Sequence, residues 1–149
     1  VIRTLSKAFG LAGCRVGYGV AQKEVIDALG LTKLVYNMNI LSQNAALAAM
    51  DYADEILAHN IPPTLAARQH FMDALKDVPN LTVYPSATNF VLVRVPDGPA
   101  MVKALHDADI CVRSYKAADL KNCLRITITT DDVVRRVVAV MTEEAKKYA

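Results

Sequence analysis

The sequence has few of the features that mark specialised classes of protein. It contains no tryptophan, and its formal net charge is only +2 over 149 residues. A charge this weak gives no reason to expect a nucleic-acid partner. No run of about 18 apolar residues is present, so no membrane span is expected, and the first residues do not resemble a secretory signal peptide. What remains is a globular composition, 53% apolar and 21% charged.

Cysteine is scarce, and its three positions have no spacing typical of a zinc site. Cys14, Cys111 and Cys123 each lie in an apolar stretch, and their odd number leaves at least one unpaired. We therefore expect small core residues in a reducing compartment, no bound metal, and a cytoplasmic protein. A catalytic thiol is the weaker alternative, because no histidine lies near any of them in the sequence.

The first 60 residues combine one glycine-rich strand with two helices. Residues 15–21 alternate and predict a strand that another backbone approaches closely. Helices are predicted over 23–33 and onward to about residue 59, the second one capped by Asn39 or Ser42. A single strand has no sheet to join, so this part is expected to be the incomplete end of a larger domain.

The remainder, residues 61–149, predicts a small C-terminal α/β domain. Pro62-Pro63 is expected to end or kink the preceding helix. Helices and strands then follow in the order α-β-β-α-β-β-α, over residues 64–75, 81–84, 89–95, 97–107, 110–114, 124–128 and from 130. Such a unit can have its own hydrophobic core. The predicted boundaries are therefore 1–60 and 61–149.

Lys7 lies among small and apolar residues, with no acidic residue near it in the sequence. A lysine acts as a nucleophile only while its amine is neutral, and burial or a nearby cation favours that state. Arg15 supplies a cation and Ser6 a hydroxyl, so these two could bind one anion. An amine beside an anion site suits a Schiff base to a phosphate-bearing aldehyde such as pyridoxal phosphate. A lysine reaching into solvent and an arginine in an ordinary salt bridge are the alternative, and composition alone favours it because glycine-flanked lysines are common.

Five segments of the chain resemble one family of enzymes. Ser6–Tyr18, S-K-A-F-G-L-A-G-C-R-V-G-Y, is similar to the lysine motif of fold-type I pyridoxal-phosphate aminotransferases. Four others resemble their histidinol-phosphate aminotransferase branch, and these are Tyr36–Gln43, Tyr84–Val91, Ile110–Arg113 and Asn122–Thr127. They follow in family order and in effect cover the whole chain. The implied fold is α/β, the end of the large cofactor-binding domain followed by the small C-terminal domain.

The resemblance implies roles for five residues. Lys7 would bind the aldehyde of pyridoxal 5'-phosphate and then act as general base and acid for the proton that moves in transamination. Ser6 and Arg15 would bind the cofactor phosphate. Arg125 would bind the anionic end of the substrate, a carboxylate or a phosphate, and Arg113 would assist it. Adjacent strands lie ~4.8 Å apart, so arginines on two such strands can meet at one anion.

The implied reaction is transamination of histidinol phosphate with 2-oxoglutarate, in histidine biosynthesis, by a homodimer. Ser114 and Thr129-Thr130 depart from the family pattern on the substrate side. An aromatic amino-acid aminotransferase and an amino-acid-phosphate decarboxylase of the same branch therefore stay open. The family's residues for the cofactor ring precede the lysine, so the 149-residue chain alone is expected to lack useful activity. A non-catalytic folded or dimerisation module is the alternative of another class.

Overall fold

The computed structural model describes all residues from Val1 to Ala149. The chain divides into two compact units, Val1–Ile61 and Pro62–Ala149. Its regular elements are β1 (Ile2–Thr4), β2 (Gly17–Gly19), α1 (Lys23–Thr32), α2 (Ile40–Asp51), α3 (Ala53–Leu75), β3 (Thr82–Val83), β4 (Phe90–Arg94), α4 (Gly98–Asp107), β5 (Arg113–Ser114), β6 (Cys123–Thr127) and α5 (Asp131–Lys146). None of the helices combines the length and the apolar character that crossing a bilayer requires.

The first unit contains a two-stranded antiparallel sheet. β1 pairs with β2, and Thr4 lies across from Gly17. A Cβ atom at Gly17 would lie only 2.7 Å from the carbonyl oxygen of Arg3, so no larger residue fits there without a backbone shift. The predicted glycine-rich strand with a closely approaching backbone is confirmed, although it is limited to Gly17–Gly19. The expectation that it is the single strand of this part, with no sheet to join, is wrong, because β1 pairs with it.

The capping prediction for the second helix is also confirmed. Asn39 precedes α2, and its Oδ1 accepts a hydrogen bond of 2.8 Å from the backbone N–H of Ser42. The Asn39 amide nitrogen in turn donates to the Ser42 hydroxyl at 3.0 Å. The pair satisfies one of the backbone donors that a helix start leaves open, and it buries the Ser42 side chain.

Of the two outcomes predicted at Pro62-Pro63, an end or a kink of the helix, the end is wrong. α3 continues through both prolines, and the helical run is interrupted at Tyr52 instead. A proline leaves the carbonyl four residues earlier without its helical donor, and here those carbonyls belong to Ala58 and His59. Both residues are exposed, so water can hydrate the two carbonyl groups. The helix therefore tolerates two residues that usually end one.

The second unit has the predicted order of helices and strands around a four-stranded antiparallel sheet. The strand order is β3-β4-β6-β5, so β3 and β5 are the edges. The predicted strands 81–84 and 110–114 shrink to Thr82–Val83 and Arg113–Ser114. Each edge strand pairs on one side only, and short edge strands are a common way for proteins to avoid unwanted pairing.

Alternation along the two central strands separates the faces of this sheet. Every second residue of β4 and β6 faces the core, and the helices α3, α4 and α5 pack on that face through Phe71, Leu75, Met101, Leu105, Val134, Val137 and Met141. The intervening residues belong to the other face, among them Leu92, which lies across from Arg125. One face is thus a conventional apolar core, and the other one carries the arginines.

The expectation of three core cysteines is met only in part. Cys123 is fully buried, whereas Cys14 is half-buried and Cys111 is exposed. Cys111 lies between α4 and β5, outside the paired part of the sheet. No group of histidine, cysteine, aspartate or glutamate side chains is arranged to hold a metal ion.

One ion pair joins α3 to α5 and gives the stability a defined pH dependence. Asp131 Oδ1 lies 2.5 Å from His70 Nδ1, and its Oδ2 accepts a 2.7 Å hydrogen bond from Arg135 Nε. The hydrogen bond to His70 is the largest cause that lowers the pKa of the Asp131 carboxyl, and the hydrogen bond to Arg135 is the second. A carboxyl whose pKa is lower in the folded than in the unfolded state stabilises the fold fully at pH values above its unfolded-state pKa. That stabilisation is lost as the pH falls through the folded-state pKa.

We therefore expect acid to destabilise the Asp131→Asn variant less than the parent. The measurement is the free energy of unfolding in urea at several pH values from about 5 down to about 2. Asp77→Asn is the matched control, because Asp77 is exposed and makes no ion pair. Equal slopes for the parent and Asp131→Asn below about pH 4 would contradict the assignment.

Candidate active site

Residues Ser6–Arg15, named here the lysine loop, connect β1 to β2. The loop is closed where the Leu5 N–H donates to the Val16 carbonyl at 3.1 Å. Inside it, the Gly10 N–H donates to the Lys7 carbonyl at 2.9 Å, which forms a tight turn directly after the lysine. Gly10 has φ +70°, a left-handed conformation that favours glycine. The local sequence therefore turns the chain sharply at Lys7.

The lysine loop is anchored from two directions within the first unit. A small apolar cluster of Leu5, Val16 and Ala46 lies under its ends, with Phe9, Leu11, Cys14 and Met38 packed against it. On another side, the Asn60 amide donates to the Ala8 carbonyl at 2.8 Å. A backbone held in this way can present its side chains in a defined orientation.

Lys7 itself is exposed, and its ammonium makes no hydrogen bond or ion pair with any residue of the chain. The expectation that its apolar sequence neighbours would shield it is therefore not met. Leu5, Phe9 and Leu11 pack into the small cluster with Ala46. They are neighbours of Lys7 along the chain, but they bury one another and not the amine.

Ser6 and Arg15 stand at the two ends of the lysine loop, next to the last paired residues. Arg15 adopts φ +56°, unusual for a residue with a side chain, and its Nη1 donates to the Ala12 carbonyl at 2.9 Å. The Ser6 hydroxyl accepts a 2.9 Å hydrogen bond from Thr4. Arg15 forms no salt bridge, so most of its donors and the Ser6 O–H are available to a ligand.

The chemistry of the lysine loop fits pyridoxal phosphate. Lys7 offers an amine without an internal partner, and Ser6 and Arg15 offer a hydroxyl and a guanidinium suited to phosphate oxygens. No acidic residue precedes Glu24 in the sequence, so the loop holds no carboxylate that would repel a phosphate. Lys7 would hold the cofactor's aldehyde, and Ser6 and Arg15 its phosphate.

In the second unit, Arg113 on β5 lies directly across from Arg125 on β6. Residues opposed in this way have Cβ atoms about 4.5–5.5 Å apart, and like charges there are destabilising. Neither arginine forms a salt bridge, and the Arg125 Nε is buried without any hydrogen-bond partner. We name these two residues the arginine pair. An anion between them would relieve the repulsion and satisfy a buried donor.

Phe90 supports the arginine pair, which sequence reasoning did not anticipate. The guanidinium carbon of Arg125 lies 5.1 Å from the centroid of the Phe90 ring, within the range of a cation–π contact. The alternation of β4 indicates that Phe90 and Leu92 share a face. Only the register with β6 shows that Arg125 lies on that face too. The contact of Asn60 with the lysine loop could not be predicted from the sequence, because its partner is a backbone carbonyl 52 residues away.

Comparison with known proteins agrees with this geometry. A family model described as aminotransferase class I and II matches residues 1–141. A histidinol-phosphate aminotransferase of Ruminiclostridium cellulolyticum is 38% identical over 133 residues, which are 89% of this chain and 37% of that protein. The chain thus spans about 37% of the length of such curated relatives.

Solved structures show the same similarity in three dimensions. The histidinol-phosphate aminotransferase of Sinorhizobium meliloti, solved in complex with pyridoxal-5'-phosphate, superposes with a TM-score of 0.74 at 31% identity, over 99% of this chain and 41% of that one. A decarboxylase of Sulfurospirillum multivorans gives 0.80 at 26% identity, over 97% and 43%. The fold-type I fold that the motifs imply is confirmed. The chain belongs to the class I and II aminotransferase family, whose members depend on pyridoxal phosphate.

Proposed function

We propose that the protein carrying this chain transaminates histidinol phosphate, with 2-oxoglutarate as the amino acceptor, in histidine biosynthesis. The observation that carries the proposal is the arginine pair, two unpaired cations opposed on one sheet face with a buried N–H lacking an acceptor. It occurs in the same chain as a lysine loop suited to pyridoxal phosphate. The relatives at 37–42% identity are named for this reaction.

The lysine loop would supply the reactive group and part of the cofactor site. When bound, pyridoxal phosphate supplies an aldehyde and a ring that accepts electrons. Ser6 and Arg15 bind its phosphate through a hydroxyl and a charge-assisted hydrogen bond. The Lys7 amine takes the proton from the substrate carbon that bears the amino group, and later returns a proton as general acid. Because Lys7 has no internal partner, no hydrogen bond or ion pair within the chain has to be broken before its amine reacts.

The arginine pair would hold the anionic end of the substrate. A phosphate monoester carries up to two negative charges, which two opposed guanidinium groups can neutralise. The Arg125 Nε would then donate to a phosphate oxygen instead of remaining unsatisfied. Stacking on Phe90 fixes the plane of the Arg125 guanidinium, so less freedom is lost on binding. The carboxylate of the amino acceptor would use the same donors in the second half-reaction.

The remaining parts of the proposal concern organisation. Residues 1–60 would be the end of the large cofactor-binding domain and residues 61–149 the small C-terminal domain of a cytoplasmic homodimer. The first unit supports a larger assembly because it exposes many apolar side chains. No residue of α1 is buried, and the exposed fractions of Leu31, Val35 and Tyr36 are 90%, 82% and 96%. Surfaces of this kind usually meet other protein.

The test compares three substrates side by side in the full-length protein loaded with pyridoxal phosphate. We expect histidinol phosphate with 2-oxoglutarate to have the highest kcat/KM. Faster turnover of phenylalanine would favour an aromatic amino-acid aminotransferase. Release of carbon dioxide from threonine phosphate would favour the decarboxylase alternative, and the Sulfurospirillum structure is named a decarboxylase. No turnover of any of the three would favour the non-catalytic module.

The same assay tests the arginine pair through Arg125→Gln. Losing a charge-assisted hydrogen bond to the substrate costs about 1.5–3 kcal/mol, so kcat/KM for histidinol phosphate is expected to fall by about 10- to 150-fold. Most of the effect should appear in KM, because the contact exists before chemistry begins. Arg136→Gln is the control, since Arg136 is exposed on α5 and bonds only to the Ala108 carbonyl. An unchanged KM in Arg125→Gln would contradict the assignment.

A further inference from the structure

A third arginine lies on the same sheet face as Arg125. Arg94 ends β4, and it lies across from Cys123 on β6, two residues before Arg125. Side chains two residues apart on a strand point to the same side of the sheet. Diagonal neighbours of this kind in an antiparallel pair are about 7–8 Å apart, within reach of long side chains. No salt bridge involves Arg94.

The Arg94 guanidinium bonds two other segments of the second unit. Its Nε donates to the Tyr84 hydroxyl at 3.1 Å, and its Nη2 donates to the Asp119 carbonyl at 3.3 Å. Tyr84 directly follows β3, and Asp119 lies in the 3-10 turn Ala118–Leu120. The hydrogen bond to Tyr84 is the main cause that raises the pKa of Arg94. One side chain thus links the β3 edge, β4 and the connection that follows β5.

That connection, residues 115–122, joins the two members of the arginine pair. β5 holds Arg113 with only two register pairs to β6, and one of them is the repulsive pair of Arg113 and Arg125. Between residues 115 and 121 the other backbone hydrogen bonds are local to the 3-10 turn. The end of the connection is held at Asn122, whose carbonyl accepts from the Val95 N–H at 2.8 Å and whose side chain bonds Gly98 and Pro96. Within residues 115–121, the bond from Arg94 to the Asp119 carbonyl is the hydrogen bond that reaches the sheet.

We infer that Arg94 is a positioning residue for the arginine pair. Tyr84 orients the Arg94 guanidinium, which holds the connection through Asp119 and so keeps Arg113 across from Arg125. Two like charges that repel each other in the absence of ligand need such a restraint to stay ready for an anion. The inference rests on the anion-binding role proposed for Arg113 and Arg125, and it adds what keeps those two in place.

The experiment titrates inorganic phosphate into the full-length protein loaded with pyridoxal phosphate and follows the arginine Nε–Hε signals by NMR. Four variants are compared with the parent: Arg94→Gln, Tyr84→Phe, Arg125→Gln and Arg136→Gln. Tyr84→Phe removes only the hydroxyl and retains the ring, so the fold is preserved. Arg136 is a matched control because it too donates from Nη2 to a backbone carbonyl, that of Ala108, at 2.9 Å.

Arg125→Gln should abolish the response to phosphate, and Arg136→Gln should leave the affinity unchanged. Arg94→Gln should weaken phosphate binding by about 3- to 10-fold, the change expected from one net hydrogen bond, and Tyr84→Phe by about 2- to 5-fold. The Arg113 signal should broaden or move in Arg94→Gln before phosphate is added. Arg94→Lys, which can keep one of the two bonds, should restore part of the affinity.

One outcome would overturn the role of Arg94 and leave the proposed function intact: phosphate binds Arg94→Gln and Tyr84→Phe as tightly as the parent, while Arg125→Gln no longer binds it. Parent-like binding in Arg125→Gln, or no binding by the parent, would overturn the anion role of the pair and the proposed function with it. A phosphate-dependent shift of the Arg94 signal itself, with Tyr84→Phe unaffected, would make Arg94 a direct ligand and so overturn positioning. Weakening in Arg136→Gln would show a general loss of structure and also overturn it.

Discussion

Transamination by the full-length protein is expected to fall about 10⁴-fold when Lys7 is replaced by arginine. Arginine keeps the positive charge and nearly the length of lysine, but its guanidinium does not give up its proton in proteins. The variant therefore has neither a nucleophile for the cofactor's aldehyde nor a base for the substrate proton. Because Lys7 is exposed and makes no contact through its ammonium, the thermal unfolding midpoint should stay within about 2 °C of the parent.

Two measurements check the Lys7 assignment. The first is kcat with histidinol phosphate, with Lys33→Arg as control, since Lys33 is exposed in the same unit and forms no ion pair. The second is reduction with borohydride in the presence of pyridoxal phosphate, followed by peptide mapping. The label should lie on the peptide containing Lys7 in the parent and be missing in Lys7→Arg. A label on another lysine would show that the motif has been assigned the wrong role, and an unlabelled parent would favour a non-catalytic module.

Phe71→Ala is expected to lower the free energy of unfolding of the second unit by about 3–5 kcal/mol. Phe71 has no exposed surface, and it lies on α3 among the core residues of β4, β6 and α5. Removing its ring leaves a cavity that the surrounding strands can fill only partly. In a domain of this size each kcal/mol lowers the unfolding midpoint by about 4–8 °C, so a fall of at least 12 °C is expected.

Leu65→Ala is the matched control for Phe71→Ala. Leu65 is also apolar and also lies on α3, but 45% of its surface is exposed. Its truncation should cost about 1 kcal/mol or less. Urea unfolding followed by far-UV circular dichroism measures both variants. Equal losses for the two would mean that Phe71 is not part of a close-packed core.

Much of the fold followed from local patterns in the sequence. The alternation in residues 89–95 and 124–128 predicts the two central strands of the second unit, because one side of each strand must be apolar to cover a core. Asn39 predicts the start of α2 because its side chain can accept from the backbone of the first turn. The prolines led to a wrong prediction of a helix end, because the free energy that they cost in a helix depends on whether water can reach the two carbonyls left without donors. That exposure is a property of the folded surface and not of the local sequence.

The candidate site divides in the same way. The lysine motif can be recognised in the sequence because Ser6, Lys7 and Arg15 lie within ten residues, and their chemistry suits one cofactor. The environment of Lys7 cannot be read in this way. Its apolar neighbours could have packed over the amine, and they pack on Ala46 of α2 instead. The exposure of Lys7 depends on which surface its neighbouring side chains pack against, and that surface belongs to a segment distant in the sequence.

By itself, the sequence determined the order of helices and strands in the second unit, the family, and the residues able to react with an aldehyde or bind an anion. Those properties depend on side-chain chemistry and on spacings of a few residues. Only the tertiary structure decided that Arg113 lies across from Arg125, that Phe90 stacks on Arg125, and that Arg94 bonds Tyr84 and Asp119. Strand register sets these contacts, and a shift of one residue would move every side chain to the opposite face. Register follows from the packing of the whole core, so residues far from the arginines determine where the arginines meet.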